Sequence, residues 1–415
     1  MKSIRLCRIN DFKVFLPEKL KLAGFIHTAD WQIGKPFLQI KDEQKRFKLR
    51  QERLNAISRI RDVVRNQQSQ FLLIAGDLFD SPTPSSSFIT EVLEEIGKMN
   101  VPVLVIPGNH DHGALGTVWH SDNFNKYQKQ MAPNLMVLLE NNPVEIEDAI
   151  ILPCPLLRNQ DNTDPTLWLR NLDWGKISSS KPRIVLAHGG IHDFKGRDYS
   201  YEGDGHSDSN NLINLNHLLN DEIDYIALGD WHNLKQVSEN TWYSGTPEPD
   251  RFDQGDDNQR GQVLQVNISR GQIPEVKSIA TGRFNWHNIS FRFNSDADLS
   301  RFARQIEDLT DGRVSRDLLR VQISGGLSLS GHHHFELLKT DLENKLLRLR
   351  IKGECYRVPE AEELEKLTNN IENPLIAEVA TRLVERLKNE EDKDSEQASI
   401  TRSALCELYR FAVKS

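Results

Sequence analysis

Residues 70–80 read QFLLIAGDLFD. A short apolar run without polar alternation predicts a strand buried on both faces. It stops at a glycine followed by Asp77, and a second carboxylate, Asp80, comes three residues later. In open α/β sheets, ligands bind beyond the carboxyl ends of the strands. The same pattern recurs on both sides of this stretch. Upstream, FIHTADWQIG (25–34) ends in Asp30 with Gln32 two positions on. Downstream, VPVLVIPGNHDH (101–112) ends in Asn109, His110 and Asp111. Further along, PRIVLAHGG (182–190) offers His188, and DYIALGDWHN (224–233) offers Asp230 and His232. Alone, an aspartate at a strand end is an ordinary cap or turn residue. Five strand ends that deliver carboxylates, amide oxygens and imidazoles point to a site for Mn, Fe, Zn or Mg rather than a thiolate metal. Gly76 and Gly108 leave room for sharp turns beside such a site.

Helical stretches at 41–66 and 87–98 lie between these runs, and AIILPCP (149–155) adds a further strand. The alternation predicts an α/β domain over residues 24–283. SSSKP (178–182) and RDYSYEGDGHSDSNN (197–211) are loops, the second long enough to be a functional flap. From residue 284 the pattern changes. WHNISFRF and LLRVQISGG read as strands around a helix, DADLSRFARQIEDL, which predicts a small α+β module over 284–353. The His332–His333–His334 run within it reads as a polar turn. Over 354–415 the chain is helical and charged. Leu375, Val379, Leu383 and Leu387 form one apolar stripe; Ile400, Leu405, Leu408 and Phe411 form another. Two such helices either pack on their own domain or dock a partner helix.

The chain has 415 residues and a net charge of −8, with 38% hydrophobic and 27% charged residues, which predicts a soluble globular protein of two or three domains. The mildly acidic balance excludes a surface coated in basic charge but not a local basic face. Four separated cysteines, Cys7, Cys154, Cys355 and Cys406, form no CxxC pair, so a reducing, cytoplasmic setting is expected. No apolar run is long enough to span a membrane, and residues 1–23 lack a signal-peptide pattern; an extra edge strand or a loose extension is expected there. A basic helix, KDEQKRFKLRQERL (41–54), follows the first motif. Lys45 and Arg46 are candidate phosphate contacts, although Asp42, Glu43 and Glu52 also make it an ordinary solvated helix.

The ordered strand-end motifs resemble those of the calcineurin-like metallophosphoesterases: D-x-H, G-D-x-x-D, G-N-H-D/E, H in HG, and G-H-x-H. Within them, FIHTADWQIGKPF, GDLFDSPTPS, VLVIPGNHD and WYSGTPEPDRFD (242–253) are similar to the SbcD type of DNA repair exonuclease. The resemblance implies a four-layer sandwich of two mixed β-sheets flanked by helices, with a small α+β capping domain and a helical C-terminal tail. It implies two divalent ions. Asp77 would bridge them, Asp30, Gln32 and His232 would complete one site, and Asn109, His188 and Asp230 the other. His110 would be the leaving-group acid, supported by Asp80 and Asp111, and Arg251 a phosphate contact. It also implies DNA as substrate, a homodimer, and an SMC-like ABC ATPase of the SbcC type docked on the C-terminal helices. The chain has no GxxxxGK[ST] loop, so ATP hydrolysis would come from that partner. Two alternatives stand beside this: a small-molecule or nucleotide phosphodiesterase, and a weakly active scaffold that regulates the ATPase. The chain departs from the family at two positions. D-x-H is D-x-Q, and G-H-x-H is G-D-x-H. Each exchange replaces an imidazole by an oxygen donor, which favours Mn²⁺, or Mg²⁺, over zinc.

Overall fold

The computed structural model describes residues 22–178, 180–191, 210–218, 220–252, 259–390 and 396–414. Residues 1–21 of the expected N-terminal extension (1–23) and residues 197–209 of the expected flap (197–211) lie outside these residues. The chain divides into two compact units. The first holds residues up to 35, 50–248 and 259–281; the second holds 36–49, 249–258 and 282–415.

In chain order, the first unit contains β1 (Leu22–Thr28), most of α1 (Glu43–Asn66), β2 (Phe71–Ala75), α2 (Ser86–Gly97), β3 (Val103–Ile106), α3 (Asp122–Met131) and β4 (Leu135–Val137). Then come β5 (Val144–Glu145), β6 (Ile150–Cys154), β7 (Arg183–His188), β8 (Gly190–Ile191), β9 (Leu212–Ile213) and β10 (Tyr225–Gly229). Last are β11 (Lys235–Ser238), β12 (Thr241–Tyr243), β13 (Gln262–Ser269) and β14 (Glu275–Ala280). Two six-stranded sheets result, ordered β14-β13-β1-β2-β3-β4 and β11-β12-β10-β7-β6-β5. Both are mixed. Strands β1 to β4 run parallel with β13 antiparallel to β1, and β6, β7, β10 and β12 run parallel between antiparallel edges.

The unbroken apolar runs follow from burial on both faces. In β2, Phe71, Leu73 and Ala75 point between the sheets, while Leu72 and Ile74 face α1, α2 and α3. In β7, Ile184 and Leu186 point between the sheets, and Val185 and Ala187 join an outer core with Leu169, Ile213 and Leu218. Phe25 stacks on Phe71 at 4.8 Å and meets Tyr225 of the other sheet edge-on at 5.6 Å; such pairs contribute about 0.5–1.5 kcal/mol each beyond the area they bury.

His27 ties the sheets together just before the site. Its Nε2 faces the Leu228 carbonyl at 3.2 Å, which can only accept, so Nε2 carries the proton and Nδ1 accepts from the Tyr225 hydroxyl at 3.0 Å. Burial holds its pKa down at about 3, against the Leu228 hydrogen bond that raises it. A depressed histidine leaves stability intact above the unfolded value near 6.5. Below it the unfolded chain takes up a proton that the folded chain refuses. Stability from this group therefore falls by up to about 1.4 kcal/mol per pH unit between pH 6.5 and 3. His27→Gln, which keeps the Nε2 donor, is expected to flatten the pH dependence of the urea midpoint over pH 6.5–4. Equal slopes in variant and parent would refute the assignment.

The second unit contains β15 (Asn285–Phe293), α4 (Asp298–Thr310), β16 (Asp317–Leu327), α5 (Leu329–Lys345), β17 (Arg348–Lys352), β18 (Tyr356–Arg357), α6 (Ala361–Thr368), α7 (Pro374–Asn389) and α8 (Glu396–Lys414). Strands β15, β16 and β17 are parallel, and β18 pairs with the end of β16. Phe291, Phe293, Phe302, Val321 and Phe335 form its core. The three histidines lie in α5, not in a turn. Ser328 caps that helix by accepting from Gly331 N, and Phe335 and Leu342 anchor it. The α7 stripe is also rotated from the expected one. Ile376, Ala380, Leu383, Val384 and Leu387 pack against Leu405, Leu408 and Tyr409 of α8, whereas Leu375, Val379, Ile400 and Phe411 are exposed. No described helix is long and apolar enough to cross a membrane.

Candidate metal centre

Beyond the ends of β1 and β2 the two motif loops run side by side. Asp30 N donates to Gly76 O, Gln32 N to Asp77 O and Ile33 N to Leu78 O. Arg53 locks the first loop from below. Buried in α1, its guanidinium donates to the carbonyls of Asp30, Trp31 and Glu248. Asp30, Gln32, Asp77 and Asp230 all hold positive φ, at 55°, 41°, 54° and 99°. Strained backbone of this kind persists where its surroundings enforce it, and it gathers at functional sites.

Three buried groups converge. One ligand atom each of Asp30, Asp77 and His188 lies within 4.8 Å of the others. His188 Nδ1 donates to Ala75 O at 2.7 Å, so Nε2 is the ring nitrogen aimed inward. There it meets Asn109 Oδ1 at 2.9 Å, Asp77 Oδ1 at 3.7 Å and Asp230 Oδ1 at 3.8 Å. Asp230 is joined to the cluster through its own N–H, 3.1 Å from Asp30 Oδ1, and its side chain is 40% exposed, which marks the open side. Carboxylates crowded around one buried point call for a cation. Burial would lower the His188 pKa, but Asp77, Asp30 and Asp230 together push it up to about 9. Burial, with Asp77 and Asp230 behind it, raises Asp30 to about 7, against His188. Four oxygen donors and one imidazole fit a divalent ion.

Glycine is required at two points. A Cβ on Gly76, which has φ +88°, would fall 2.2 Å from His188 Nδ1, and one on Gly108 would fall 2.1 Å from Asp77 Oδ1. The room they leave is occupied by ligand side chains.

His110 stands at the rim, half-buried. Its Nδ1 faces Asp80 O at 3.2 Å and Asp80 Oδ1 at 3.7 Å, while Nε2 lies 4.0 Å from Asp77 Oδ2. Burial lowers its pKa, yet Asp77 and Asp80 outweigh that and leave it raised. Its backbone N–H donates to Asp77 Oδ1 at 2.9 Å. Asp111 is a positioning residue. Fully buried, it accepts from Gly108 N and Phe79 N, and so joins the second and third motif loops.

The other expected residues make contacts of their own. His232 is buried in the turn after β10. The Gln32 oxygen, expected to face an ion, accepts from Lys35 Nζ at 2.6 Å. Lys45 donates to the carbonyls of Glu343 and Leu346, and Arg46 to those of Ile40 and Lys41. These bonds tie both side chains to backbone of the second unit. Arg251, also in the second unit, lies 3.6 Å from buried Asp250. Reading the sequence missed Lys35 and the clamp by Arg53. The spacing D-x-Q-x-x-K was visible, but the turn that brings Lys35 back was not.

Residues 24–234, just over half of the chain, match the calcineurin-like phosphoesterase family. Among solved structures, one crystal structure is similar at 14% identity and a TM-score of 0.37, the match covering 63% of this chain and 99% of that one. GAP50, the anchor in the inner membrane complex of Plasmodium, is similar at 15% identity and a TM-score of 0.34, covering 63% of this chain and 89% of that one.

Proposed function

The chain belongs to the calcineurin-like phosphoesterases, a family that implies metal-dependent phosphoester hydrolysis, and from that premise we propose that it is a DNA phosphodiesterase of the SbcD type. The observation that carries the hydrolytic part is the convergence of Asp30, Asp77, Asn109, His188 and Asp230, with His110 at the rim. A divalent ion bound there would supply a water of lowered pKa and neutralise phosphate charge. The chain's own residues do the rest. Asp77 and His188 define the centre. Asp80 orients the His110 ring, so that Nε2 faces the reacting side and can pass a proton to the departing oxygen. Asp111 and Arg53 keep the motif loops at fixed separation.

DNA as the substrate is supported by the four SbcD-like segments and by the second unit that follows them. Arg251 remains a candidate phosphate contact. The apolar residues left exposed on α7 and α8, Leu375, Val379, Ile400 and Phe411, support docking of an SMC-like ATPase there, since exposed apolar residues on paired helices suit a helical partner.

The test is hydrolysis of linear single- and double-stranded DNA, set against cyclic nucleotides and nucleotide diphosphate esters, with Mn²⁺, Mg²⁺ or Zn²⁺. Cleavage of DNA with Mn²⁺ or Mg²⁺, and at least about tenfold less with Zn²⁺, is expected from the oxygen-rich ligand set. Hydrolysis of the small esters alone would replace DNA as the substrate. Full activity with zinc and none with manganese would refute the metal preference.

A further inference from the structure

A metal ligand needs a lone pair aimed at the ion. Gln32 occupies the position of a family histidine ligand, and its one acceptor atom is Oε1. That atom accepts from the Lys35 ammonium at 2.6 Å, whose charge opposes a second cation at the remaining lone pair, while the Gln32 amide nitrogen turns to Asp77 Oδ2 at 3.4 Å. The alternative amide orientation would set N–H against ammonium and oxygen against carboxylate, so Lys35 itself decides the orientation. Lys35 is 8% exposed, and its own N–H closes a turn onto Gln32 O at 3.2 Å. A lysine buried to this degree requires partners of opposite charge. Gln32 links the ammonium to Asp77, and the Lys35 charge acts on both Asp80 and His110. The edge where a second ion is implied thus already has a covalently attached cation, and the neighbouring side chain presents N–H to Asp77 rather than a donor oxygen.

We propose that this centre takes one divalent ion, among Asp30, Asp77, Asn109, His188 and Asp230, and that the Lys35 ammonium, held by Gln32, stands in place of the second. The histidine-to-glutamine exchange and Lys35 then form a single device. Glutamine accepts from the ammonium and donates to the carboxylate at once, a pairing that a metal-bound imidazole cannot make. In the reaction, Lys35 would neutralise a phosphate oxygen as a point charge. The inference rests on the metal-dependent reading of the centre but not on DNA as its substrate.

The test counts ions on the full chain. Metal-stripped protein is titrated with Mn²⁺ by calorimetry, bound manganese is measured by elemental analysis, and the spin state is read by electron paramagnetic resonance. One ion per chain is expected, with the spectrum of an isolated Mn²⁺. The double variant Gln32→His, Lys35→Ala is expected to bind two, with the exchange coupling of a pair. Binding of the first ion reports that the variant is folded. Two coupled ions in the parent, or a double variant that still binds only one, would overturn the proposal. A parent that binds none would overturn it together with the metal-dependent reading itself.

Discussion

Asp77→Asn is expected to abolish tight metal binding and to lower turnover by on the order of 10³-fold or more, because metal chemistry supplies several kcal/mol of charge stabilisation. Asp77 is 1% exposed, and both of its oxygens work. Oδ1 accepts from His110 N at 2.9 Å and lies 3.7 Å from His188 Nε2; Oδ2 faces the Gln32 amide at 3.4 Å. Asparagine keeps the shape but removes the charge and turns one oxygen into a donor. The folded state should not suffer. After burial, the Asp77 charge is the next force raising Asp111, to about 7, and it also helps to raise Asp30. Its removal relieves like-charge crowding with Asp30 and Asp111 but also removes the attraction that raises His188 and His110, so the metal-free variant is expected to unfold at about the same temperature as the parent. Calorimetric titration with Mn²⁺, turnover and thermal unfolding measured on one preparation separate these effects. A variant that retains both metal affinity and turnover would remove Asp77 from the centre.

The parts of the site legible in sequence are those set by strand ends. Asp30, Asp77, Asn109, His188 and Asp230 each follow a buried apolar run, and parallel neighbours bring such ends to one edge. Residues whose role depends on a turn or on a helix face were not legible in this way. Arg53 sits in a run of six basic residues and looks like the others; only the pitch of α1 turns it under Asp30 and Trp31. Lys45 belongs to the same run and instead caps the carbonyls at the end of α5. Composition likewise misled at His332, His333 and His334, where the Ser328 cap and the Phe335 and Leu342 anchors outweigh the polar character of the segment. The α7 stripe chosen by i, i+4 spacing was off by about one position, because helices have faces wider than a single stripe. The second unit draws in residues 36–49 and 249–252, which local patterning cannot reveal because their partners are distant in sequence, such as Leu318 and Leu347 for Phe37 and Phe252.

His110→Ala is expected to lower turnover on the proposed DNA substrate by on the order of 10²–10⁴-fold, the range for loss of a general acid. Metal stoichiometry should not change. The bond from this residue to Asp77 is made by its backbone N–H at 2.9 Å, which alanine retains, and its side chain lies outside the buried cluster of Asp30, Asp77 and His188. The ring geometry makes the assignment specific. The Asp80 carbonyl, 3.2 Å from Nδ1, can only accept, so Nδ1 is a donor and Nε2 is the atom left facing the reacting side. An acid matters in proportion to how poor the leaving group is. The loss should therefore be large for a DNA strand, whose departing alkoxide needs a proton, and small for a p-nitrophenyl phosphodiester, whose phenolate leaves without one. Equal losses on the two substrates would make His110 a phosphate-binding residue instead, and undiminished turnover of DNA would remove it from the reaction.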